Sequence, residues 1–106
     1  MSTEVVKDKI YALCIMYGFK NRLSANESIR RVLMGWQPGD FDKGFNSDWI
    51  LVGVNHDFVR VSFFYNGGSL AEDCVERVAF SYDNPDMFTK LNNTISKLIE
   101  RASNEK

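Results

Sequence analysis

Histidine and cysteine are scarce in this sequence, which has one histidine and two cysteines among 106 residues. A structural zinc site usually takes four nitrogen or sulfur ligands, so we expect no metal site. Cys14 and Cys74 form no Cys-x-x-Cys motif, which favours two reduced thiols over a disulfide framework. His56 falls in a predicted turn, where nothing suggests a cleft for a general base. We therefore expect no catalytic residues, no cofactor and no enzymatic activity.

Long apolar runs are also absent. No stretch approaches the ~18–20 apolar residues that a membrane-spanning helix needs. Residues 1–9 mix acidic and basic side chains, unlike the basic and then apolar regions of a secretory signal, so we expect a cytoplasmic protein. With 13 Lys+Arg against 14 Asp+Glu, the charge balance argues against a protein that coats nucleic acid or anionic membranes. It leaves room for a local basic patch.

The residues that are present have the composition of a globular domain, with 44% apolar and 25% charged side chains. The length predicts a single domain over residues 1–106, with a polar tail at 103–106. The pattern of apolar residues and turn signals predicts an α+β fold. We expect the order ααβββα, in which a three-stranded antiparallel meander packs against the helices.

Apolar residues at helical spacing predict the three helices. The first helix spans about 3–17 and ends at Gly18, with an apolar stripe of Val6, Ile10, Leu13, Cys14 and Tyr17. The second begins at a capping box, Ser24-x-x-Glu27, with a stripe of Ile29, Val32, Leu33 and Trp36. The last follows a cap at Asp83 or Asn84 and Pro85, with a stripe of Phe88, Leu91, Ile95, Leu98, Ile99 and Ala102.

Alternating patterns predict the three strands, at 49–54, 58–65 and 75–82. The first two are joined by a three-residue turn at 55–57. In the second strand Arg60 and Ser62 share one face, opposite an apolar row. In the third, Arg77 shares a face with Ala79 and Ser81.

An aromatic and acidic segment over 36–49 is the stronger candidate for a functional surface. Large aromatic side chains dominate the energetics of protein interfaces, and acidic residues around them favour a basic partner. We predict that partner contacts involve Asp40, Phe41, Asp42, Phe45 and Asp48. The same aromatic residues are also explained by packing of the loop against its own core. The acidic spacing departs from a calcium loop, because Gly44 and Leu51 replace expected ligands.

A basic corner between the first two predicted helices supports an alternative function. Lys20, Arg22, Arg30 and Arg31 cluster there, opposed by Glu27. Such a patch could bind phosphates, and two successive helices allow a helix-turn-helix arrangement. The alternative is therefore a regulator that binds nucleic acid. The arginines are equally explained as the solvated face of an amphipathic helix.

The chain resembles the small immunity proteins of bacterial toxin systems. The resemblance is carried by its size, its slightly acidic charge and the runs Trp49-Ile50-Leu51-Val52, Val61-Ser62-Phe63-Phe64-Tyr65 and Ser81-Tyr82-Asp83, followed by Phe88. Phage-encoded inhibitors of host enzymes are similar in the same general way. Both resemblances imply a non-enzymatic, antitoxin-like protein that inhibits or neutralises one partner protein by surface complementarity. We expect the protein to be a monomer or a homodimer.

Overall fold

In the described part of the sequence, one helix precedes a run of five strands and a second helix follows it. The computed structural model describes residues 3–22, 32–38, 48–65 and 74–104. The elements are α1 (Thr3–Met16), β1 (Lys20–Arg22), β2 (Val32–Trp36), β3 (Trp49–Val54), β4 (Phe58–Phe64), β5 (Cys74–Ser81) and α2 (Met87–Asn104). The strands form one antiparallel sheet in the order β1-β2-β3-β4-β5. The predicted α+β class and the meander are therefore confirmed, with five strands in place of three.

The second predicted helix is wrong where the structure describes it. Val32–Trp36 forms strand β2, in which Met34 pairs with Val52 of β3. A short apolar run fits a buried strand as well as a helical stripe. Gly35 disfavours a helix by about 1 kcal/mol relative to alanine, whereas pairing with β3 satisfies the backbone and buries Met34. Residues 23–31, the rest of that predicted helix, lie outside the described residues.

The turn between β3 and β4 is the predicted three-residue connection. The amide of Asn55 donates a hydrogen bond to the carbonyl of Phe58 at 2.9 Å. From the other side, the Tyr82 hydroxyl donates to the carbonyl of Asn55 at 2.6 Å. These bonds tie the hairpin tip to the residue that follows β5.

The end of α1 and the start of α2 are each determined by nearby residues. Gly18 has a φ of 91°, and its amide donates to Ile15 while the amide of Phe19 donates to Cys14, which is a Schellman stop. Before α2, the side-chain oxygen of Asn84 accepts a hydrogen bond from the amide of Asp86 at 2.9 Å, as an N-terminal cap does. Neither α1 nor α2 combines the length and hydropathy that crossing a membrane requires.

The core lies between the helices and one face of the sheet. The helices contribute Val6, Ile10, Cys14, Met87, Leu91, Ile95, Leu98 and Ala102, and the central strands contribute Ile50, Val52, Val54, Val59, Val61 and Phe63. Because successive side chains of a strand alternate between faces, the residues between these apolar positions belong to the opposite face. That second face carries polar groups of β4 and β5, including Arg60, Ser62 and Arg77.

Candidate binding site on the sheet face opposite the helices

Positively charged side chains lie on the face of the sheet opposite the core. The pairing register aligns Lys20, Gly35, Leu51, Ser62 and Arg77 in one row across all five strands. Arg60 is two residues before Ser62 on β4 and so shares this face. The register also places Arg22 of β1 in the row of Arg60. We call the face that carries Lys20, Arg22, Arg60, Ser62 and Arg77 the basic face.

Negative charge in the strands lies on the other face of the sheet, towards the helices. Glu76 is the one acidic residue in the five strands, and it belongs to the core-facing row, opposite Phe63. Its carboxylate pairs with Arg101 of α2, with Nη1 and Oε2 at 3.2 Å. Within the part of the chain that the structure describes, Arg60 and Arg77 form no ion pair. The basic face thus has positive charge that no strand carboxylate neutralises.

A pocket of about 160 Å³ opens on the basic face. Its lining consists of Leu51, Gly53, Asn55, Arg60, Ser62, Phe64 and Arg77. Arg77 of β5 lies directly opposite Ser62 of β4. Arg60 of β4 is the diagonal neighbour of Arg77 across the same strand pair. Diagonal neighbours in a sheet lie about 7–8 Å apart, so two long arginine side chains can reach the same small ligand.

Aromatic rings contact two of the residues that line the pocket, Arg60 and Phe64. The guanidinium carbon of Arg60 lies 5.4 Å from the ring centre of Phe58, within the range of a cation–π contact. On the same face, one alternate pair along β3 and β4, Phe64 stacks on Trp49 with ring centres 4.6 Å apart and planes 15° from parallel. Trp49 and Phe64 are only 4% and 5% exposed. Their stacked faces are therefore not available to a ligand.

A second surface feature is an apolar groove between the two helices. It has a volume of about 470 Å³ and is lined by Lys9, Ala12, Leu13, Met16, Phe88, Thr89 and Asn92. Met16 is 81% exposed and the neighbouring Ile15 is 65% exposed. Exposed apolar surface is typical of protein contacts. The groove has fewer charged groups than the sheet pocket to orient a ligand, so the pocket is the better defined site.

The predicted contact segment over 36–49 is only partly described. Asp40, Phe41, Asp42 and Phe45 lie outside the described residues, so their role stays a prediction. Asp48 directly precedes β3 and is 8% exposed, which leaves little of its side chain accessible to a partner.

The predicted basic corner does not lie between two helices. Lys20 and Arg22 belong to strand β1, which pairs with β2, so a helix-turn-helix arrangement is wrong for these residues. Lys20 is exposed on the basic face. Arg30 and Arg31 lie outside the described residues. The register thus places two predicted cations, Lys20 and Arg22, in the same rows as Arg77 and Arg60, which the sequence had indicated only as the polar side of their strands.

Groups with shifted pKa values lie away from the basic face. Burial raises the pKa of the Cys14 thiol to about 12, and burial is also the main reason why the pKa of Tyr82 rises to about 12. Burial, followed by the charges of Glu4 and Asp8, raises the pKa of Tyr11. These shifts reflect packing around α1 rather than a proton-transfer site at the pocket. His56 is exposed in the hairpin turn.

Among the described residues, no three side chains of the metal-binding types His, Cys, Asp and Glu lie close enough to hold an ion. Comparisons with models of protein families, with curated proteins and with solved structures give no significant match. The case for a function therefore rests on the geometry and charge of the basic face.

Proposed function

We propose that this protein is a small binding module that captures an acidic segment of a partner protein on its basic face. The observation that carries the proposal is the pocket between Arg60 and Arg77, which presents two guanidinium groups without an ion-paired carboxylate among the described residues. Arginine is well suited to such contacts, since its planar fork binds carboxylates through two parallel hydrogen bonds.

A protein partner fits this surface better than nucleic acid does. Proteins that bind single strands usually present aromatic faces on which bases stack, but Trp49 and Phe64 stack on each other and are buried. Affinity for nucleic acid also grows with the number of phosphates contacted. The register places four cationic residues, Lys20, Arg22, Arg60 and Arg77, in the rows of this face, on a chain of net charge −1.

Inhibition of the captured protein is the activity we propose for this binding. It is the role implied by the resemblance to immunity proteins and phage inhibitors, and it needs no catalytic group. The predicted aromatic and acidic segment over 36–49 would contact a basic patch of the same partner, so that both charges of this protein contribute to specificity. A cytoplasmic location belongs to the same proposal, and the free thiols of Cys14 and Cys74 are consistent with that compartment.

Fluorescence anisotropy with defined probes tests the proposal. The first probe is a labelled peptide of alternating Glu and Ala, the second its Lys/Ala counterpart and the third a labelled oligo(dT). We expect the Glu/Ala peptide to bind the native protein and the Lys/Ala peptide not to bind. Charge-assisted hydrogen bonds contribute about 1.5–3 kcal/mol each, so R60Q/R77Q should weaken binding at least about tenfold.

A matched variant controls for net charge. Lys90 and Lys97 are exposed on α2, away from the basic face, so K90Q/K97Q removes the same charge and should leave binding within about twofold. Circular dichroism checks that both variants fold. Equal binding by the two double variants, or no binding of the Glu/Ala peptide, would contradict the proposal. Tighter binding of oligo(dT) than of the peptide would favour the nucleic-acid alternative instead.

A further inference from the structure

We propose that the pocket between Arg60 and Arg77 accepts a phosphate monoester, carried on a phosphorylated side chain of the partner's acidic segment. This inference rests on the proposed function and adds a regulatory condition to it, because capture would then depend on modification of the partner. The charge of the pocket, its hydrogen-bonding groups and its shape all favour a phosphate.

The charge of the pocket matches a dianion better than a single carboxylate. Arg60 and Arg77 both line the cavity, and none of its described lining residues is acidic. A phosphorylated side chain carries a charge of about −1.5 to −2 at neutral pH, whereas aspartate and glutamate carry −1. A carboxylate would leave about one positive charge without a counterpart, and a phosphate would neutralise both guanidinium groups.

Ser62 adds a hydrogen-bonding group between the two arginines. It is 5% exposed, lines the pocket and lies directly opposite Arg77. Within the described part of the chain its hydroxyl has no hydrogen-bond partner. Asn55, by contrast, already donates its side-chain amide to the carbonyl of Gly53 at 3.2 Å. The Ser62 oxygen is not among the described buried polar atoms that lack a partner, so it is open to the pocket, where its hydroxyl can donate a hydrogen bond to a ligand oxygen.

The shape of the site favours a compact group at the end of a side chain. The cavity of about 160 Å³ is several times the ~30 Å³ that one water molecule occupies in the liquid. Leu51 and Phe64 contribute apolar side chains to its lining. The contact of Arg60 with the Phe58 ring limits the freedom of that guanidinium and so reduces the entropy lost on binding.

Three peptides that differ at one position test the inference. Each is an otherwise identical Glu/Ala sequence with serine, glutamate or phosphoserine at its centre, and binding is measured by fluorescence anisotropy. We expect the phosphoserine peptide to bind the native protein at least about tenfold more tightly than the glutamate peptide. The preference should fall to less than about threefold in R77Q and in R60Q, and it should remain in K90Q/K97Q.

Two further variants separate hydrogen bonding from charge. R60K/R77K keeps both positive charges but loses the bidentate geometry, so the phosphoserine preference should fall several-fold. S62A removes the hydroxyl alone and should lower the phosphoserine preference about two- to fivefold while leaving the affinity for the glutamate peptide unchanged. An unchanged preference in S62A and R60K/R77K together would overturn the assignment of the phosphate to this pocket.

The outcomes distinguish this inference from the proposed function. If the glutamate and phosphoserine peptides bind equally, the inference is wrong and the capture of acidic segments stands. If neither binds, the proposed function itself is wrong. Inorganic phosphate and a 5′-phosphorylated oligo(dT) serve as competitors. If the oligonucleotide displaces the phosphoserine peptide at lower concentration than an unlabelled copy of that peptide does, the phosphate belongs to a nucleic acid and the inference is overturned.

Discussion

The packing of α1 against the sheet predicts that Cys14 is protected from thiol reagents. Cys14 is fully buried in the core, and burial raises the pKa of its thiol from 9.0 to about 12. Because the thiolate is the reactive form, a rise of about three pKa units lowers its population at pH 8 about a thousandfold. Cys74, a free thiol at the start of β5, is partly exposed. We expect Cys14 to react at least about a thousandfold more slowly in the folded protein than in the unfolded chain.

Ellman's reagent measures both thiols when each is isolated by a single substitution. C74S leaves Cys14 as the reporter, and C14A leaves Cys74. In concentrated guanidinium chloride both variants should react at similar rates, which provides the unfolded reference. Under native conditions only C14A should react quickly. If the thiol of C74S reacted within about tenfold of the thiol of C14A under native conditions, α1 would not be packed on the sheet as described.

The same thiol makes stability depend on alkaline pH. A pKa that is higher in the folded state means that ionisation favours unfolding, so the stabilisation is present below about pH 9.0 and is lost as the pH rises towards 12. Three pKa units correspond to a loss of about 4 kcal/mol at most. Urea unfolding of C14A should show a smaller loss over this range than the native protein. A residual loss is expected from Tyr82, whose pKa is raised in the same direction.

Three further substitutions test the core and the turns by urea unfolding. F63A should lower the free energy of unfolding by about 3–5 kcal/mol, because Phe63 is fully buried and its ring centre lies 5.5 Å from that of Tyr65. A decrease below about 1 kcal/mol would place the Phe63 ring outside the core. G18A should cost about 1–2 kcal/mol through its φ of 91° alone, since an added Cβ would lie 3.8 Å from Trp36; a neutral effect would contradict the left-handed conformation. Y82F should cost about 1 kcal/mol, because it removes the hydrogen bond to the hairpin turn; an unchanged stability would mean that water replaces this bond.

Local signals explain which elements could be predicted from the sequence. The glycine stop at Gly18, the cap at Asn84 and the turn after β3 each depend on residues within a few positions of one another. Their geometry therefore follows from the sequence around them. The segment Val32–Trp36 differs, because its apolar pattern suits either a strand or a helix and only pairing with β3, more than ten residues away, decides between them. Secondary structure that depends on such distant pairing is not specified by local pattern.

The candidate site could be predicted from the local sequence even less than strand β2 could. Alternation in β4 and β5 places Arg60 and Arg77 on the polar side of their strands, but it does not show that the two sides adjoin. That juxtaposition depends on the register that sets Ser62 opposite Arg77. A slip of one residue would turn Arg77 towards the helices and move Val78 out of contact with the core. The apolar residues that β5 packs beneath α2 therefore fix the register, and through it they determine the spacing of the two arginines on the other face.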